Sequence, residues 1–266
     1  MLFRLLLFIA FFAATSTTQA EEWIQLFNGK DLTGWTPKIR GEKVGVNFAD
    51  TFRVEEGLLK VRFDKYEGPY RGKMGHLFYN GTFSHYRLRA ECRSVGKQVE
   101  GGPDWGIRNN GLLVHGQTPQ SMGLDQVFPV SLEAQLLSGL DDGKHRPAGN
   151  LCTPGTNVHL NGKLYTPHCA KLEPTAETIK HGEWMTLEVE VHGHEVIRHF
   201  VNGKQTIEYT HPMLDEKDVD AKRLLKEGAD KKLSKGTICI QAESAPFDFR
   251  EIELLDLTKK TESNDN

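Results

Sequence analysis

Beyond its first 20 residues, this 266-residue chain has no apolar run approaching the roughly 20 residues that cross a bilayer as a helix. It has no Lys/Arg-rich stripe either, and its formal charge is -3 at pH 7, moving to -4 once Arg4 is removed. A mildly acidic chain without a basic face lacks the electrostatic footprint of a nucleic-acid binder. Cysteine is sparse, four in all, and the grouping of Cys152, His159, His168 and Cys169 matches no usual zinc-ligand spacing. No Pro/Gly/Ser-rich linker divides the sequence, so it is read as one domain of a size that all-β folds often reach.

What is present starts with MLFRLLLFIAFFAATSTTQA. One Arg, an apolar run from Leu5 to Ala14 and a polar stretch ending at Ala20 read as a cleaved secretory signal over residues 1–20. The mature protein is therefore expected to be secreted or periplasmic, in an oxidising compartment where Cys152 and Cys169 are candidates for a disulfide and Cys92 and Cys239 for packing residues. Residues 21–257 form the expected domain, and 258–266, TKKTESNDN, read as a disordered tail.

Strand signals recur throughout: WIQLF, TFRVEEGLLKVRF, HYRLRAECR, GLLVH, SLEAQLL, MTLEVEVH, VIRHFVNGKQTIEYT, TICIQAE and FREIELLDL. Short alternating runs separated by turn residues predict an all-β sandwich or barrel. Asn202-Gly203 and Asn161-Gly162 sit where a two-residue hairpin turn needs positive φ. Residues 37–50 and 64–75 read as long surface loops, and the charged stretch 213–235 as a solvated insertion with a helical turn.

In VSLEAQLLSG, Glu133 and Gln135 alternate with Leu132, Ala134 and Leu136, the pattern of a strand with one buried face. By the same parity Gln241 and Glu243 oppose Ile238, Ile240 and Ala242, and His115 opposes Leu112 and Val114. A face carrying carboxyl, amide and imidazole groups is either plain wet surface or the floor of a binding groove.

Five stretches favour the groove. LFNGKDLTGW, NNGLLVHG, SLEAQLL, GEWMTLEVEVHGHEVIRHFVNGK and GTICIQAESAPFDFREIEL occur in that order, and together they resemble the 3-keto-disaccharide hydrolase domain family over about residues 22–257. The resemblance implies a concanavalin A-like jelly-roll sandwich of two antiparallel sheets with a concave sugar-binding groove. It also implies cleavage of 3-keto-glycosides, in which the C3 ketone acidifies the C2 proton, elimination expels the C1 substituent, and water then adds. Glucanases of this fold class instead carry two Glu flanking an Asp on one strand, with carboxyl groups only ~5 Å apart. Here Gln135 replaces the Asp, and neither Leu137 nor Ser138 supplies the second carboxylate.

On this reading the candidate catalytic residues are Glu133, His115 and Glu243. His115 or Glu133 is the base, Glu243 the acid or a hydroxyl ligand, and Arg108 or a bound divalent ion the stabiliser of the enolate. Gln135, Gln241, Asn110, Arg108 and Arg250 are candidate substrate-binding residues, although the parity of Arg250 with Ile252 and Leu254 equally fits a buried structural pair. Asp141-Asp142-Gly143 reads as a turn in preference to a Ca²⁺ site. The expected partner is a saccharide. The alternatives are a noncatalytic, lectin-like carbohydrate-binding module and a conventional β-glucanase.

Overall fold

The computed structural model describes residues 22–170 and 177–258. The expected signal segment and the tail from residue 259 lie outside the described residues. The strands are β1 (Trp23–Gln25), β2 (Trp35–Ile39), β3 (Phe52–Glu55), β4 (Leu58–Val61), β5 (Gly75–Phe83), β6 (His85–Ser94), β7 (Asn109–Gly116) and β8 (Leu132–Leu137). They continue with β9 (Leu151–Cys152), β10 (Thr156–Leu160), β11 (Lys163–Tyr165), β12 (Met185–His192), β13 (Val196–Val201), β14 (Lys204–Leu214), β15 (Gly236–Ala242) and β16 (Phe247–Asp256). Among the described residues one α-helix, α1 (Val219–Lys226), falls in the charged insertion, where the Asp218 carboxylate accepts from the backbone N–H groups of Asp220 and Ala221 at its start.

The strands form two antiparallel sheets, the expected jelly-roll sandwich. The smaller runs β2-β5-β15-β7-β8-β9, and the larger runs β11-β10-β14-β13-β12-β6-β16-β4-β3 with β1 beside β16. Alternation explains the assembly. Leu88, Ala90 and Cys92 of β6 and Leu187, Val189 and Val191 of β12 pack against Leu112 and Val114 of β7, Leu132, Ala134 and Leu136 of β8, and Ile238, Ile240 and Ala242 of β15 in one buried cluster. Each fully buried Leu, Ile or Val contributes about 1.5–3 kcal/mol. On the outer face of the larger sheet Arg87, Arg89 and Arg93 meet Glu188, Glu253 and Asp248, so charge on that face is largely paired.

Both Asn-Gly turns form as expected, with Asn161 and Gly162 at φ 51° and 73° and Asn202 and Gly203 at 49° and 77°. Cys152 and Cys169 are disulfide-linked, while Cys92 and Cys239 are free and buried. Two expectations need correction. Pro37 to Ile39 are not loop but the end of β2, an edge strand, where a proline lacking an N–H is tolerated. The expected loop 64–75 gives way at Gly75 to β5, a long strand in the smaller sheet that alternation had not suggested, because Leu77, Phe78 and Tyr79 run together as apolar residues.

Candidate active site

The outer face of the smaller sheet carries the polar groups. β7 lies between β15 and β8, with Leu113 opposite both Cys239 and Glu133, and Gly111 opposite Gln135. On the far side of β15, Gln241 is opposite His76 of β5, which is opposite Lys38 of β2. Lys38, His76, Gln241 and Gln135 therefore span the sheet, with Glu133 and Glu243 offset to either side. Below them on the same face Phe78, Leu113 and Cys239 form a small apolar cluster closed by Met122.

These groups are covered, not wet. Glu133 is 4% exposed, Glu243 3%, His76 1% and Gln241 0%, while Gln135 is half-buried. Yet Glu133 Oε1, Glu243 Oε2, both amide atoms of Gln241 and both ring nitrogens of His76 have no hydrogen-bond partner within the protein. One unsatisfied buried polar group typically costs about 1–3 kcal/mol. Four such side chains on one face make it the candidate site, since their partners have to come from outside the protein's own side chains.

Gly111 makes the convergence possible. A Cβ there would lie 2.7 Å from both Gln241 Oε1 and Glu133 Oε1 and 2.8 Å from Glu133 Cγ. The bare backbone of β7 thus leaves the space over which the side chains of its two neighbours lean toward each other.

Burial sets the electrostatics. Loss of hydration pushes the Glu133 carboxyl up to about 7, drawn back in part by the Gln241 amide beside it. Burial, and then the nearby Glu133 charge, hold Glu243 well above the ordinary carboxylate range. Both carboxyls are thus held above the ordinary range, and the charge of one opposes ionisation of the other. His76 is pushed down to about 3 by burial and then by the Lys38 charge, so it is a neutral imidazole. The Lys38 ammonium, itself lowered by burial, donates to the carbonyls of Ile39 at 3.1 Å and Leu124 at 3.0 Å.

Side-chain hydrogen bonds tie the edge of the site to its floor. Ser244, next after Glu243, has φ 132°, a strained value for a residue with a side chain. The Gln98 amide holds it by donating to Ser244 Oγ and to the Pro103 carbonyl, each at 2.8 Å.

Of the sequence-predicted residues, Glu133, Gln135, Gln241 and Glu243 share this face. The other four do not join them. His115 has φ 51°, and the β15–β7 register shifts there, so parity along β7 breaks. Its Nε2 lies 2.7 Å from the carbonyl of Gly193, in the β12–β13 turn of the opposite sheet, and burial lowers it to about 4. Arg108, also at positive φ, donates to the Gly139 carbonyl and, at 2.7 Å, to the Asp141 carboxylate. Asn110 is fully buried, donates to the Gln241 backbone carbonyl at 2.8 Å and accepts from the Gly111 N–H, so it binds β7 to β15. Arg250 is neither in the site nor a buried pair. A register shift after Phe249 turns it outward on the larger sheet, where it pairs with Glu91 and lies 4.4 Å from the Trp184 ring centre.

Asp141 to Gly143 form a turn, with the Asp142 carboxylate accepting from the Lys144 N–H. Among the described residues no three His, Cys, Asp or Glu side chains are grouped to hold a metal ion. No helix among them is long and apolar enough to cross a membrane. Sequence reasoning missed His76 and Lys38, both on strands it had not recognised. The usable signal was the position of His76 just after Gly75, at the start of an apolar run.

The two stacked antiparallel sheets make the chain a concanavalin A-like sandwich. The chain belongs to the 3-keto-alpha-glucoside-1,2-lyase-like domain family, whose model matches residues 22–255. Membership makes it a carbohydrate-active chain, glycosyl hydrolase-like or carbohydrate-binding. Among solved structures it is similar to a protein of Parabacteroides distasonis ATCC 8503 assigned as a glycosyl hydrolase, with 20% identity, a TM-score of 0.52, and coverage of 92% of this chain and 98% of that one. It is also similar to a LamA variant of Zobellia galactanivorans in complex with laminaritriose and laminaritetraose, with 10% identity, a TM-score of 0.50, and coverage of 88% and 98%. These two likenesses concern the fold. No curated protein matches the chain.

Proposed function

We propose that the chain is an exported hydrolase of 3-keto-glycosides, acting by elimination and hydration. The observation that carries this reading is the pair of buried carboxyls, Glu133 and Glu243, each with an oxygen unpartnered within the protein, on either side of Gln241 and so coupled that one opposes ionisation of the other. Paired groups whose environments separate their ionisation are the arrangement of a base and an acid. Export is supported by the apolar run Leu5 to Ala14 and by the Cys152–Cys169 disulfide, which suits an oxidising compartment.

In the first half-reaction the Glu133 carboxylate takes the C2 proton, which the adjacent C3 ketone has made acidic. The developing C3 oxyanion accepts hydrogen bonds from the Gln241 amide and a neutral His76 N–H, with the Lys38 charge behind His76. The C1–O bond then breaks as C1 and C2 become doubly bonded, and Glu243 gives its proton to the departing oxygen. In the second half, water adds to C1 with its proton passing to Glu243, and Glu133 returns a proton to C2. Both carboxyls end as they began. Since base and acid are met at separate atoms, no fixed ~5 Å spacing is needed.

The test is to incubate the purified mature chain with a 3-keto-disaccharide in deuterated water and follow product by NMR. The wild type releases free 3-keto-sugar carrying deuterium at C2, and Glu133→Gln lowers kcat by about 10²–10⁴-fold. Absence of product from the wild type, or undiminished turnover by Glu133→Gln, overturns the reading. Saccharide binding without turnover would identify a binding module.

A further inference from the structure

His115, absent from the candidate active site, lines a separate cavity of about 310 Å³ between the end of β7 and the segment around α1. Its Nε2 lies 2.7 Å from the Gly193 carbonyl oxygen, which only accepts, so the ring proton sits on Nε2. Burial lowers the ring to about 4 and keeps it neutral. Nδ1 therefore carries a lone pair, and it has no hydrogen-bond partner within the protein although the residue is 1% exposed. The apolar wall of the cavity is Val130, Leu214 and Leu224, a buried cluster separate from the main core. Ser234, Lys232 and Lys235 are exposed at the mouth. Lys231 beside them is paired with Glu216, whereas neither Lys232 nor Lys235 has an ion pair among the described residues. Asp230 also lines the cavity, accepting from the Lys232 backbone N–H at 2.9 Å, so the two ammonium groups outweigh one carboxylate. The candidate active site is at the other end of the same strands. Thr237 of β15 pairs with Gly116, and Gln241 lies four residues on, about 13 Å along the strand. Cys239 between them belongs to the apolar cluster that Met122 closes.

We propose that this cavity is a second, noncatalytic site for a sugar acid, with a hydroxyl donating to His115 Nδ1, the C–H face lying on Leu214 and Leu224, and the carboxylate meeting Lys232 and Lys235 at the mouth. Each part of the ligand answers one observation. A neutral Nδ1 only accepts, so its partner is a donor, and a hydroxyl brings no charge into a buried place. The aliphatic wall takes the apolar face that a sugar ring presents beside its hydroxyls, and small-molecule sites combine such walls with a few placed polar groups. The two unpaired lysines favour an anion over a neutral sugar and disfavour a cationic donor. The site lies outside the proposed reaction, since it uses neither Glu133 nor Glu243.

The test titrates the purified mature chain by NMR with three probes: glucuronate, glucose, which has hydroxyls without the charge, and acetate, which has the charge without hydroxyls. Glucuronate binds with a roughly millimolar Kd, and glucose and acetate bind at least about 10-fold more weakly. The double variant Lys232→Gln/Lys235→Gln weakens glucuronate about 10-fold and leaves glucose unchanged. With isotopically labelled histidine, the His115 Nδ1 resonance, assigned by its absence from His115→Gln, shifts with glucuronate and not with acetate. Ala229→Trp, at an exposed position lining the cavity, blocks entry and removes glucuronate binding, whether or not His115→Gln folds. Glu133→Gln binds glucuronate as the wild type does, which separates this cavity from the candidate active site. No binding of glucuronate, equal binding of glucose, or binding that survives Ala229→Trp or is lost in Glu133→Gln overturns the proposal. Turnover of a keto-sugar is not among these readouts, so the proposed reaction and this site stand or fall separately.

Discussion

At the scale of single residues, the site trades stability for chemistry. Glu133 has its folded-state ionisation raised from 4.5 to about 7, so the folded chain holds a proton that the unfolded chain has released. Stability contributed by the neutral form is fully present below pH 4.5 and declines as pH rises to about 7, a loss of about 3 kcal/mol at most. Glu133→Gln should therefore raise the melting temperature by several degrees at pH 8 and little at pH 4, measured by differential scanning calorimetry. Gly111 acts through space instead of charge. Gly111→Ala should lower kcat by about 10²-fold with the fold retained by circular dichroism, because a displaced carboxyl of order 1 Å is enough for that loss. Parity in the sequence located Glu133, Gln135, Gln241 and Glu243. It failed for His115 because alternation assumes regular strand geometry, and a residue at positive φ resets the face to which its side chain points.

At the scale of elements, β9 borders the strand that carries Glu133. Cys152 of β9 is opposite Glu133 of β8, and its disulfide to Cys169 spans a separation of 17 residues. Replacing both cysteines by serine should lower unfolding free energy by about 3 kcal/mol in urea titration, with a smaller loss of kcat than Glu133→Gln gives, since β8 keeps its ladder with β7. The hairpins were readable because Asn-Gly specifies its own turn. β5 was not, because a strand buried on much of both faces lacks the period-two pattern, and His76 was lost with it. β2 was hidden by Pro37, whose only allowance is its place at the sheet edge.

At the scale of the whole molecule, the two outer faces differ in kind. The larger sheet shows solvent a lattice of opposite charges, while the smaller hides polar groups that lack partners. The closing motif of the sequence cannot tell these faces apart, and so Arg250 was carried to the wrong one. Arg250→Ala should leave kcat/KM for the keto-disaccharide within about 2-fold of wild type, the result usual for a surface ion pair remote from the reacting atoms. The order β5-β15-β7-β8 also has a dynamic consequence. Floor groups borne on interior strands of a sheet cannot part without tearing the ladder, so backbone protons of β8 and β15 should exchange with deuterated solvent as slowly as the molecule unfolds globally. The overlying segments 98–106 and 117–130, joined to the floor by side-chain bonds, should exchange sooner, and their opening would then set how fast a sugar enters.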